Sequence, residues 1–95
     1  MTEVFSEPSP NRIESSEGYF VEVLGRAGLR YGESGRTTFI DSELLVPGEG
    51  IYASRGSLTR WDPSSGLSIA AEERERILGN IQRAFEACGH KIQIG

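Results

Sequence analysis

Residues 68–89, SIAAEERERILGNIQRAFEACG, decide how this chain folds. Ile77, Ile81, Ala84, Phe85 and Cys88 recur at i, i+4, i+7, i+8 and i+11, and Leu78 widens the stripe. That spacing places them on one face of an α-helix. Glu72, Arg76, Gly79, Arg83 and Glu86 fall on the opposite face. Ser68 is the expected N-cap, and Glu72, Glu73 and Glu75 lie early, where the helix dipole favours acids. Gly89 follows as the expected C′ residue. Glu72 and Arg76 stand at i, i+4 in the better orientation for an exposed ion pair. A lone helix cannot bury such a stripe against itself, so the rest of the chain must supply a sheet for it to cover.

Upstream, residues 19–24 (YFVEVL) are β-branched and aromatic, as a pleated, half-buried surface requires. Gly25-Arg26-Ala27-Gly28 interrupts them, and Leu29-Arg30-Tyr31 resumes the alternation. Gly32-Glu33-Ser34-Gly35 is a second turn, and residues 36–40 (RTTFI) a third strand. Residues 41–46 read as either a helical turn or an extended segment, ending at Pro47-Gly48-Glu49-Gly50. Residues 51–53 and 58–61 are expected as short strands, residues 62–66 (DPSSG) as a loop, and residues 90–94 as a final strand. The expected fold class is α+β: an antiparallel meander of about five to six strands, one C-terminal amphipathic helix on one face, and a final short strand. Residues 1–17, rich in Ser, Glu and Pro, are set apart as a mobile or loosely attached tail whose Phe5 or Ile13 is able to dock on the domain, and residues 18–95 are expected to form one domain.

Ninety-five residues with 37% hydrophobic and 25% charged content suit one globular domain. The net charge of −4 lacks the basic footprint of direct nucleic-acid binding. Residues 1–50 hold nine acids against four arginines, and residues 51–95 five acids against six bases. The N-terminal acid excess reads either as a solvated surface or as a partner-binding face. One cysteine excludes an intramolecular disulfide, and no apolar run approaches a membrane span. The start has neither the basic nor the apolar region of a secretory signal. The expected compartment is the cytoplasm.

No catalytic set assembles from these residues. His90 is the only histidine and opens an alternating segment, where an edge or surface role is the plain reading. Cys88 lies on the apolar stripe, as a buried inert thiol would, and Gly89 separates it from His90. One His and one Cys give no metal pattern, and no cofactor is expected. Gly48-Glu49-Gly50-Ile51-Tyr52-Ala53 matches G-x-G-x-x-A, but the match continues into a strand rather than the helix that phosphate binding needs. Asp41 and Glu43 are a conceivable carboxylate pair with no sign of a cleft around them. Trp61 is either a core plug or a binding anchor. Gly79, costly within a helix, reads as neutral drift or as a point of close backbone approach by a partner.

Gly35-Arg36-Thr37-Thr38-Phe39-Ile40, Glu43-Leu44-Leu45, Ile51-Tyr52-Ala53, Leu58-Thr59-Arg60-Trp61-Asp62-Pro63 and residues 72–78 together resemble the immunity protein 74 family. The resemblance covers about residues 18–95 and consists of strand, turn and helix patterns. It implies a non-catalytic protein that neutralises the C-terminal toxin domain of a contact-dependent or related polymorphic toxin system in the cytosol. It supplies no catalytic or contact residues. The acid distribution adds an expectation of its own: a basic partner meets Glu22, Glu33, Asp41, Glu43 and Glu49, with Tyr52 or Trp61 as anchor. The alternative is a self-associating structural or regulatory module without a toxin partner, pairing through a strand edge or the helix face.

Overall fold

Alternating side-chain character folds the first forty residues into a meander in a computed structural model that describes residues 2–25, 28–61 and 67–95. The centre of the turn at residues 25–28 and the expected loop at residues 62–66 lie outside the described residues. Strands β1 (Phe5–Ser9), β2 (Arg12–Ser15), β3 (Tyr19–Val23), β4 (Leu29–Glu33) and β5 (Arg36–Ile40) form a five-stranded antiparallel sheet in sequence order. Ile13, Tyr19, Val21, Leu29, Tyr31, Thr38 and Ile40 point from one face into the core. Arg12, Phe20, Glu22, Arg30 and Phe39 share the opposite face, which follows from the two-residue period of the strands. Between β4 and β5, Glu33 pairs with Arg36 across a two-residue turn in which Ser34 and Gly35 both take positive φ, 50° and 77°. That conformation matches the twist of a tight hairpin.

The structure differs from the sequence reading at the N-terminus. Residues 5–15, expected within a loosely attached tail, are two strands of the sheet. Pro8 lies in β1, the edge strand, where a missing backbone donor interrupts no ladder, and Pro10-Asn11 forms the turn into β2. Ile13 is 6% exposed, and Phe5 meets the Tyr19 ring edge-on at 6.4 Å between centroids.

Beyond β5 the chain starts a second, smaller sheet. Residues 41–46 resolve to an extended form as β6 (Ser42–Leu44), which pairs antiparallel with β7 (Ile51–Ala53). A 3-10 turn at Arg55–Ser57 follows. The strand expected at residues 58–61 does not form, and only Arg60 makes an isolated bridge, to Ser68. Leu58 and Trp61 are both fully buried while Thr59 and Arg60 are exposed, a spacing of three that no strand allows. This segment lies beside β5, where the Thr38 hydroxyl donates to the Arg60 carbonyl at 2.8 Å.

Helix α1 (Ala71–Ala87) buries Ile77, Leu78, Asn80, Ile81, Ala84 and Phe85. Its N-cap is Ala70, without a side-chain cap, because the expected cap Ser68 is held in the bridge to Arg60. The C-terminus closes as expected on Gly89, at φ 75°. The Gly89 amide donates to Glu86 and the His90 amide to Phe85, the paired bonds of a Schellman motif. The His90 ring then rests edge-on against Phe85, 6.2 Å between centroids. Strand β8 (Ile92–Ile94) completes the small sheet by pairing parallel to β7, in the order β6-β7-β8. The fold is α+β, with the final strand joined to the small sheet rather than to the meander. No helix among the described residues is long and apolar enough to cross a membrane.

Candidate functional site

The five acids and two aromatics expected to meet a partner do not share one surface. Glu22 lies on the outer face of the meander between two arginines, 3.3 Å from Arg30 and 3.8 Å from Arg12. Glu33 sits at the seam between sheet and helix with its side chain only 13% exposed. The Arg76 guanidinium grips both of its oxygens at 2.7 and 3.0 Å, and the Tyr31 hydroxyl donates to it at 2.6 Å. Trp61 is fully buried, with the Arg36 guanidinium 4.1 Å above its ring and its indole N–H 3.4 Å from Glu73. It acts as a core plug.

Four positions do come together on the small sheet. Asp41 precedes β6 and is fixed by its backbone: its N–H donates to Ser57 Oγ and its carbonyl accepts from Ser54, both at 2.9 Å. Glu43 stands directly across from Tyr52 in the β6–β7 register, and Tyr52 across from Gln93 in β8. Period two places Asp41 and Glu43 on the same side of β6. Glu49 is carried by the turn between β6 and β7, closed by bonds from Glu49 N–H to Val46 and from Leu45 N–H to Gly50. Asp41, Glu43 and Glu49 are exposed and form no ion pair with any described residue.

Beside these acids and the expected anchor Tyr52 stand two exposed aliphatic side chains, Leu44 and Val46, that the sequence does not single out. Leu44 is 55% and Val46 68% exposed, and Tyr52 shows 38% of its surface. The signal lies in residues 41–46, where two acids are followed directly by three aliphatics. Gly50 is explained by geometry rather than by nucleotide binding: its φ is 85° and a Cβ there would lie 2.2 Å from the Lys91 carbonyl oxygen.

A second cluster joins sheet to helix. Asn80, buried on α1, donates to the Tyr31 hydroxyl at 2.9 Å, and its side-chain oxygen accepts from Arg83. Arg83 also reaches Glu3 at 3.3 Å, and Glu3 accepts from the Tyr19 hydroxyl at 2.6 Å. Arg76 pairs with Glu33 and, at 3.6 Å, with Glu73; the expected pairing with Glu72 is displaced because Glu33 offers a more enclosed, two-oxygen partner. Burial, reinforced by the Glu3 carboxylate, pushes the Tyr19 phenol up to about 12. Burial and the Glu33 carboxylate push Tyr31 higher still. The Arg76 hydrogen bond holds the Glu33 carboxyl below the usual carboxylate range. The phenols therefore stay protonated and donate, so the cluster holds the helix on the sheet and offers no nucleophile or base.

Cys88 and His90 each engage Glu7, and no hydrogen bond joins them as in a dyad. Both approach Glu7, His90 at 3.5 Å, and burial followed by the Glu7 hydrogen bond raises the thiol pKa, opposite to activation. An apolar groove of about 200 Å³ between the β1–β2 turn and the end of α1 is lined by Pro10, Ile13, Val23, Ile51, Phe85 and His90, among others. Among the described residues no three His, Cys, Asp or Glu side chains gather as a metal ion requires.

The family described as immunity protein 74 matches residues 21–95. No curated protein and no solved structure matches the chain.

Proposed function

The chain belongs to the immunity protein 74 family, and from that premise we propose that it binds and neutralises a cognate bacterial toxin domain in the cytosol, without catalysis of its own. Its contact face is the exposed side of the small sheet: Asp41, Glu43, Glu49 and Tyr52. The observation that carries this assignment is the contrast among the acids. Glu22 and Glu33 are neutralised by arginines of the same chain, whereas Asp41, Glu43 and Glu49 have no described partner. Exposed, unpaired acids on a rigid sheet keep their full field for an approaching molecule, and that field favours a basic partner. The toxin belongs to a contact-dependent or related polymorphic system, as the family implies.

The test is the triple charge reversal Asp41→Lys, Glu43→Lys, Glu49→Lys, measured for association with the toxin domain that the protein protects against. Association should slow by at least about tenfold at low ionic strength, and its dependence on salt should flatten. Reversing Glu22, on the outer face of the meander, should affect association much less. Unchanged association kinetics for the triple variant would show that the face lies elsewhere.

A further inference from the structure

Strand β6 is an edge of the small sheet, and its backbone bonds reveal which groups remain free. Asp41 and Leu45 both bond toward β7, through the Ser54 and Gly50 partners, so the alternation of an antiparallel ladder makes Glu43–Tyr52 the bonded pair between them. Ser42 and Leu44 therefore turn their N–H and C=O groups away from β7, toward solvent. The same parity that frees these groups places Leu44 and Val46 on one side of the edge and Asp41 and Glu43 on the other. Leu44 and Val46 are exposed aliphatics, at 55% and 68%. A free edge, an apolar side and an acidic side thus coincide along one short strand.

We infer that this edge receives an extended segment of the toxin in which basic and apolar residues alternate, adding a fourth strand antiparallel to β6, the pairing that is slightly more stable per residue. The inference rests on the proposed function and specifies how the partner is held. Backbone bonds to Ser42 and Leu44 fix the added strand, its apolar side chains cover Leu44 and Val46, and its basic side chains meet Asp41 and Glu43. A second copy of this chain fits poorly as the occupant, because pairing two β6 edges brings unpaired acids of the same sign together. In the added strand, the residues opposite Ser42 and Leu44 lie on the apolar side and direct their own N–H groups at β6. The apolar positions of the occupant must therefore donate, while the N–H groups of its basic positions point away.

That geometry gives a test using a short peptide of alternating lysine and valine, titrated into the intact protein and followed by amide exchange and by carboxylate chemical shifts. Exchange at Ser42 and Leu44 should slow by at least about tenfold at saturation. N-methylation of the valines should abolish this protection, and N-methylation of the lysines should leave it intact, although both peptides carry the same charge. A peptide alternating glutamate and valine should not bind. If both methylated peptides shift the Asp41 and Glu43 carboxylates alike without protecting Ser42 and Leu44, the strand-addition inference is overturned while the acidic contact face stands. If neither the edge amides nor the carboxylates respond to the lysine peptide, both are overturned. Protection of the edge that instead rises with the protein's own concentration would assign it to a second copy and refute the inference.

Discussion

Replacing Glu33 by Gln separates scaffold from contact face, since Glu33 is acidic, lies in the acid-rich half, and yet is engaged within the fold. The substitution keeps the shape but removes the charge that the Arg76 fork grips at 2.7 and 3.0 Å, and it turns an NH₂ group toward that cation. One remaining oxygen must then serve both Arg76 and the Tyr31 hydroxyl. A hydrogen bond to a charged group contributes ~1.5–3 kcal/mol. Arg76 is 47% exposed, so solvent screening takes away part of its share. The net loss at neutral pH should be about 2 kcal/mol, which for a domain of this size lowers the melting temperature by about 8–16 °C. The sign with pH follows from the lowered carboxyl pKa, caused first by the Arg76 hydrogen bond. A carboxylate depressed in the folded state contributes stability above its unfolded pKa of about 4.3, and that contribution fades as pH falls through the folded value. The wild type should thus lose stability in acid more steeply than Glu33→Gln, and their difference should close. Urea titrations read by the single tryptophan, Trp61, at pH 7 and near pH 3 measure both quantities. Equal stabilities at pH 7, or a gap that persists undiminished in acid, would refute this account of the seam.

Three glycines give sharper contrasts. Gly50→Ala should destabilise by more than the ~1–2 kcal/mol of the left-handed conformation alone, because its Cβ would meet the Lys91 carbonyl oxygen at 2.2 Å. Gly48→Ala, at φ 93° with nothing within 4 Å, should show only the conformational cost, and denaturant titration of the pair measures the difference. Gly79→Ala should stabilise by about 1 kcal/mol, since the nearest atom to a Cβ there is the Arg83 guanidinium at 3.7 Å. A neutral or negative change in melting temperature would show that the glycine answers a constraint within the chain.

The elements legible in the sequence are those whose signal is local. The 3.6 period of residues 77–88 and the alternation within each strand of residues 19–40 declare their structure through near neighbours in the sequence. The N-terminal hairpin was hidden because Pro8 and Pro10 look like strand breakers, and only an edge position and a turn make them harmless. The small sheet was hidden because Ile51–Ala53 finds its parallel partner in Ile92–Ile94, after the whole of α1. At the site, the acids could be named but not sorted. What neutralises Glu22 comes from Arg12 and Arg30 on neighbouring strands, and what neutralises Glu33 from Arg76 on the helix. Trp61 was ambiguous for a similar reason, because its burial is decided by the Arg36 and Glu73 side chains that close over it.

The parallel pairing of β7 with β8 also sets the order in which the domain can close. A strand at residues 51–53 cannot close its ladder until residues 92–94 have been made, and Glu3 and Glu7 likewise wait for Arg83 and His90. Such long-range closure carries an entropic cost before any contact rewards it, and it slows folding relative to a locally paired chain. While the polypeptide is still emerging from the ribosome, the meander has its hairpins but the platform bearing Asp41, Glu43 and Tyr52 is unfinished. The surface bearing Asp41, Glu43 and Tyr52 is thus completed only when the last residues of the domain join it, so a chain shortened before residue 92 would keep the meander and lose the third strand of the platform.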